Sequence, residues 1–147
     1  MVDILHRVAI KAAPERVYDA LTTTEGLGGW WARDTTGDGQ PGGTLAFRFG
    51  PGGIDMAVKE AVPGERVLWE VADGPEEWIG THVRFELRHE DDGWTGVMFH
   101  HEGWREPVDF MHHCSTKWAI FLMSMKSLLE TGTGAPDPDD VKVDSWN

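Results

Sequence analysis

The stretch DFMHHCSTKWAIFLMSMKSLLET, residues 109–131, decides the fold. Met111, Cys114, Trp118, Phe121, Leu122, Met125, Leu128 and Leu129 recur in it at spacings of three and four. A helix from Asp109 to Thr131 therefore carries a wide apolar stripe along one face. Such a stripe has to be covered. The chain beyond it cannot do so, because Gly132, Gly134, Pro136 and Pro138 break regular structure and Asp137, Asp139 and Asp140 add charge without periodicity. The cover must come from the residues before Asp109.

Those residues read as strands. Val2 to Ala12 alternates, with Ile4, His6, Val8 and Ile10 on one face. Leu45, Phe47 and Phe49 alternate in the same way, followed by Ile54, Met56 and Val58, then Val67, Trp69 and Val71, then Thr81, Val83, Phe85 and Leu87, and last Thr95, Val97, Phe99 and His101. Turn residues separate the runs, as at Gly50-Pro51-Gly52-Gly53, Pro63-Gly64, Asp73-Gly74-Pro75 and Asp91-Asp92-Gly93. Connections this short join antiparallel strands. Between the first and second runs, Pro14 and Glu15 open a short helix with Val17, Ala20 and Leu21 on its apolar face. Thr22 to Thr24 can cap a second short helix that runs toward Trp30 and Trp31.

One apolar sheet face and one striped helix cover each other if the sheet curls around the helix. The expectation is an α+β helix-grip, with a curved antiparallel sheet of about six to seven strands around the C-terminal helix and two short helices after strand 1. Residues 1–131 make up this domain. Residues 132–147 are expected to form a mostly loose tail, from which Val141, Val143 and Trp146 could dock.

The 13 basic and 25 acidic residues give a formal net charge of −12. This argues against nucleic acid and against anionic membrane surfaces, both of which need Lys and Arg patches. No apolar run approaches the ~18 residues of a membrane span, and Asp3, His6 and Arg7 interrupt any leader-like start, so the chain is read as cytoplasmic. The single cysteine, Cys114, falls on the apolar side of the helix and reads as a small hydrophobe.

Motifs give little chemistry. Gly37 to Gly42 matches G-x-G-x-x-G, but a strand follows it where a dinucleotide site needs a helix. His100, His101, His112 and His113 lie close in sequence, yet neighbours on a strand or helix point apart, so a zinc site would need one from each pair, such as His101 with His113. The reading taken is no metal, with His101 hydrogen-bonded on the concave face and His112 solvated. Among the strand carboxylates only Glu60 shares the parity of Ile54, Met56 and Val58. Facing an apolar cavity it could be a general base; the preferred reading puts it in water at the strand end near Pro63.

Eight Trp and six Phe are many for 147 residues. Rings of this size either fill the concavity of the sheet or line a pocket between sheet and helix. The pocket reading selects Trp31, Phe47, Met56, Trp69, Trp78, Phe85, Phe99, His101, Trp118, Phe121, Leu122 and Met125 as ligand-contacting residues, with His101 or Glu60 as polar anchor.

The stretches VAIKAAPERVYDALTTTEGLGGWW, GGTLAFRF, VLWEV, WIGTHVRFEL, TGVMFHHEGW and STKWAIFLMSMKSLLETGTGAP span nearly the whole chain. Together they resemble the START-like (SRPBCC) superfamily with the Bet v 1 helix-grip fold, and within it the branch named after the activator of Hsp90 ATPase homologue 1. The resemblance implies a cytosolic monomer or homodimer with a cavity suited to a lipid, a polyketide or another hydrophobic small molecule. It brings no catalytic set and no cofactor. Members of the superfamily include ligand carriers, aromatase/cyclases and Hsp90 co-chaperone domains. A cyclase or hydrolase using His101 or Glu60, and a module that contacts a chaperone, are therefore the two alternatives to simple ligand binding.

Overall fold

The computed structural model describes residues 1–147. Its elements are β1 (Val2–Ile10), α1 (Pro14–Thr22), α2 (Thr24–Trp30), β2 (Asp34–Gly37), β3 (Thr44–Phe49), β4 (Gly52–Val62), β5 (Arg66–Asp73), β6 (His82–His89), β7 (Thr95–Trp104) and α3 (Asp109–Thr131). All seven strands lie in one antiparallel sheet, ordered β1-β7-β6-β5-β4-β3-β2, and α3 packs on it as a helix-grip. The strand alternation read from sequence is the alternation of burial: Leu45, Phe47, Ile54, Met56, Val67, Trp69, Val83, Phe85, Val97 and Phe99 all face the core. β2 is the strand that alternation does not reveal. Asp-Thr-Thr-Gly is short and polar, and its strand form comes from pairing Thr35 with Phe47 and Thr36 with Ala46 at the sheet edge.

The helix boundaries have local causes. Pro14 sits in the first turn of α1, and the Thr23 hydroxyl caps α2 by accepting from the Gly26 N–H at 3.0 Å. α3 ends where Gly132 takes a left-handed conformation, φ 89°, and returns its N–H to the Leu128 carbonyl. The chain then squeezes between α2 and α3. A Cβ on Gly134 would stand 2.3 Å from the Gly29 carbonyl oxygen, so no larger residue fits there.

Beyond Gly134 the structure departs from the expected loose tail. Asp137 pairs with the end of α2, its N–H donating to the Trp31 carbonyl at 2.8 Å and its carbonyl accepting from the Arg33 N–H at 3.1 Å. Asp140 is buried against Lys117. The buried anchors are polar; of the residues that sequence offered for docking, Val141 and Trp146 stay more than half exposed and Val143 is half-buried, while the Trp146 ring still meets His113 at 5.5 Å. Composition misled here because it weighs hydrophobic burial and not ion pairs made across more than 20 residues of chain.

No helix is long and apolar enough to cross a membrane.

Candidate functional site

The concavity of the grip is filled by rings. Trp31, just past α2, stacks on Trp69 at 6.0 Å with planes 5° apart, and its centroid lies 4.2 Å from Phe47 and 4.9 Å from Trp118. Phe85 and Phe99 continue the cluster in T-shaped contact at 5.3 Å. Each such ring removes ~150–250 Å2 from water and contributes strongly to stability. Among the candidates named from sequence, Trp31, Phe47, Met56, Trp69, Phe85, Phe99, His101, Leu122 and Met125 are all buried in this packing. The room that sequence reserved for a ligand between them is taken by their own side chains, above all by Trp31, which reaches in from the junction after α2.

His101 is part of this packing. It is 0% exposed, and both ring nitrogens are used. Trp118 Nε1–H donates to Nδ1 at 3.1 Å, which makes Nε2 the protonated nitrogen, and that N–H reaches Thr81 Oγ1 at 2.8 Å. Thr81 passes its own proton to the Trp78 carbonyl at 2.5 Å, and Trp78 Nε1–H returns to α3 by donating to Cys114 Sγ at 3.3 Å. Burial pushes the His101 pKa down to about 3 and the Cys114 thiol up to about 12. Neither group is a base or nucleophile near neutral pH. His101 therefore does not act as a polar anchor open to a ligand; it ties β7 to α3 and to the loop that carries Trp78.

Glu60 also lies elsewhere. β4 carries a bulge, with Val58 opposite Trp69 and Glu60 opposite Leu68, so Lys59 is an extra residue that reverses the parity beyond it. Glu60 points outward and accepts from Arg66 Nε at 2.8 Å with both side chains well exposed. Parity alone would turn it inward; the inserted residue turns it outward, which agrees with the preferred reading of a carboxylate in water at the strand end.

The histidine pairs are separated as alternation requires. His101 is inside and His100 is half-buried beside it on the strand; on α3, His112 is exposed, while His113 Nδ1 lies 2.7 Å from Asp144 Oδ2.

A cleft of ≈ 230 Å3 with mostly apolar walls opens at one end of the grip. Trp78, Trp118 and Phe121 line it, joined by Phe49 and Ile54 from the β3–β4 hairpin and by Cys114 from α3. These are the apolar walls. One side is polar and comes from the tail, with Asp137, Asp140 and Asn147 set against His113 and Lys117 one turn apart on α3; the tail also adds the Trp146 ring. Asp140 is held by Lys117 and, at 2.9 Å, by Lys142. Burial raises its carboxyl, but the two ammonium hydrogen bonds outweigh that and hold it below the usual carboxylate range. Lys117 also donates to the carbonyls of Val141 at 3.0 Å and Asn147 at 3.1 Å, and lies 5.1 Å from the Phe121 ring centroid.

Trp78, Trp118 and Phe121 are thus the sequence candidates that the structure brings to the cleft. The tail residues were missed. A signal did exist: Asp140 and Asp144, four apart, match Lys117 and His113, four apart on one helix face, in antiparallel order.

A comparison with curated proteins gives no match. Among solved structures, the chain is similar to the Aha1 dimer from Colwellia psychrerythraea, with 48% identity and a TM-score of 0.84 over 91% of this chain and 100% of that one. Two further similarities show the fold alone. CalU16 from Micromonospora echinospora is 18% identical with a TM-score of 0.78, over 97% of this chain and 74% of that one. SSP2350 from Staphylococcus saprophyticus is 17% identical with a TM-score of 0.76, over 90% of this chain and 95% of that one. Residues 11–130 match the family described as activator of Hsp90 ATPase homolog 1-like protein, and the chain belongs to that family.

Proposed function

We propose that this protein is a cytoplasmic binding domain for a small apolar molecule, seated in the cleft between α3, the Trp78 loop and the C-terminal tail. One observation carries the reading: beside an interior closed by packed rings, Trp78, Trp118 and Phe121 border an unfilled, apolar-walled cleft of ≈ 230 Å3. Apolar burial supplies the affinity. A catalytic role has less support, because the two bases sequence offered, His101 and Glu60, are respectively locked in the core and paired on the outer face.

The test is a titration with a panel of small apolar and aromatic compounds, read by tryptophan fluorescence and by NMR shift mapping. At least one compound quenches fluorescence, with shifts centred on Phe49, Ile54, Trp78 and Phe121. If no compound moves these residues, or if shifts map to another surface, the reading fails.

A second reading rests on the family itself and on the 48% identity with Aha1. It is that the domain contacts an Hsp90-type ATPase, and that like the Colwellia protein it assembles as a homodimer. Co-purification with Hsp90 at low and moderate salt tests the first part, and sedimentation velocity the second. No enrichment at either salt, and a monomer at all concentrations, would count against it.

A further inference from the structure

The hydrogen-bonding groups around the cleft are unevenly committed. On the α3 side, all three Lys117 donors are filled, by Asp140 and by the carbonyls of Val141 and Asn147. His113 directs Nδ1 to Asp144. The indoles of Trp118 and Trp78 donate to His101 and Cys114. An anionic ligand would have to pull Lys117 away from a carboxylate that is 1% exposed. Asp137 is different. It lines the same cleft, its backbone is fixed by Trp31 and Arg33, and its carboxylate makes no side-chain hydrogen bond and no ion pair.

We propose that the cleft takes a small amphipathic cation, a protonated amine carried on a single aromatic or apolar ring, with the ring against Trp78, Trp118 and Phe121 and the ammonium on Asp137. This rests on the cleft being the binding site. Two features favour a cation over an anion or a neutral molecule, and a third sets its size. A free acceptor stands at the polar side of an aromatic-walled space, and ring faces themselves attract ammonium groups. The formal net charge of −12 draws cations toward the protein and repels anions. The volume of ≈ 230 Å3 falls below the ~300–1,000 Å3 of drug-sized pockets, which limits the ligand to about one ring system.

The charges facing Asp137 are Asp140 and Lys142 on the tail, Lys117 on α3 and Arg33 after α2. Burial and then Asp140 raise its carboxyl, while the three cations act against them. An arriving ammonium reverses this rise. Because it binds the ionised form, affinity is full above the Asp137 pKa and falls as the pH drops through it.

The experiment compares three probes of nearly equal size: phenethylamine, its neutral counterpart phenethyl alcohol and its anionic counterpart hydrocinnamate. Each is titrated into the intact protein and into Asp137→Asn, which keeps the side-chain shape and the backbone bridge, with NMR shift mapping as readout. The amine binds at least about tenfold more tightly than the alcohol, and Asp137→Asn removes that advantage while leaving the alcohol unchanged. An amine no tighter than the alcohol, an Asp137→Asn variant that keeps the preference, or hydrocinnamate binding best would each overturn the proposal. If the alcohol moves cleft residues and the amine has no advantage, the ligand class is wrong and the cleft survives as a binding site. If none of the probes nor the apolar panel moves them, both readings fall together.

Discussion

Trp118 on α3 and His101 on β7 are joined by one hydrogen bond of 3.1 Å, and its direction determines the state of the imidazole. An indole N–H can only donate, so Nδ1 must accept, and the proton sits on Nε2, where Thr81 receives it. From there the connection runs through the Trp78 carbonyl and the Trp78 indole back to Cys114, one turn before Trp118 on the same helix. One strand, the loop before β6 and a helix are thereby fixed to one another at the edge of the cleft. A second proton on the ring would set two donors against each other.

That geometry makes His101 a source of acid sensitivity. Its folded pKa is lowered to about 3, below the ordinary 6.5, because burial disfavours the charged ring. Below pH 6.5 the unfolded chain takes up a proton that the folded one refuses, so this contribution to stability is complete above that pH and is lost as pH falls toward 3. The slope is ~1.4 kcal/mol per pH unit. Urea unfolding of the native protein and of His101→Gln is compared at about pH 6.5 and two units lower. The variant is less stable at the higher pH, and the gap between the two narrows by about 2 kcal/mol at the lower one. Parallel pH profiles would show that His101 does not carry the effect.

Trp118→Phe isolates the hydrogen bond from the packing. The phenyl ring keeps much of the contact with Trp31 and Phe99, but Nδ1 of His101 is left buried without a donor. The expected loss is ~1–3 kcal/mol of unfolding free energy, the cost of an unsatisfied buried acceptor. Because Nδ1 is now free to be protonated, the pH slope of the variant also becomes shallower. A loss below about 0.5 kcal/mol would mean that the acceptor finds water or another donor.

Glu60→Gln is expected to do almost nothing. The ion pair with Arg66 is well exposed, and such pairs contribute ~0–1 kcal/mol. Stability stays within that range, and a ligand titration is unmoved, since the side chain is on the far face of the sheet. Altered ligand affinity would mean that the carboxyl reaches the cleft after all.

Glu60 also shows where reading from sequence stops. Alternation placed the core residues of β3 to β7 because an apolar side chain on the wrong face would be exposed along the whole strand. The stripe on Asp109–Thr131 was legible for the same reason. The bulge at Lys59 was not, because it is defined only by the residues of β5 that pair with β4. Nor could sequence say that Trp31 would fill the concavity, since its reach depends on how α2 is seated over the sheet. The cleft was half legible. Trp78, Trp118 and Phe121 follow from the aromatic pattern, but Asp137 and Asp140 reach it through a turn at Gly134 that only the packing of α2 against α3 explains.

The tail itself gives the last prediction. Asp140 is 1% exposed and takes Lys117, 11% exposed, together with Lys142. Removing one partner of a buried pair costs ~3–5 kcal/mol when the remaining charge is trapped. Here it is not trapped, because the tail can lift and return Lys117 to water, so the penalty is capped by the free energy of opening residues 132–147 alone. Asp140→Asn therefore acts locally. Proteolysis within the tail speeds up severalfold, while the urea midpoint of the domain shifts little. Acid mimics the variant: the Asp140 carboxyl is held below its usual value of 3.8, so docking persists above that pH and fails as the pH drops through the lowered one. Hydrogen exchange separates the two scales. Faster exchange confined to the tail amides agrees with local opening, whereas faster exchange at the β6–β7 ladder in Asp140→Asn would show that the tail supports the whole grip.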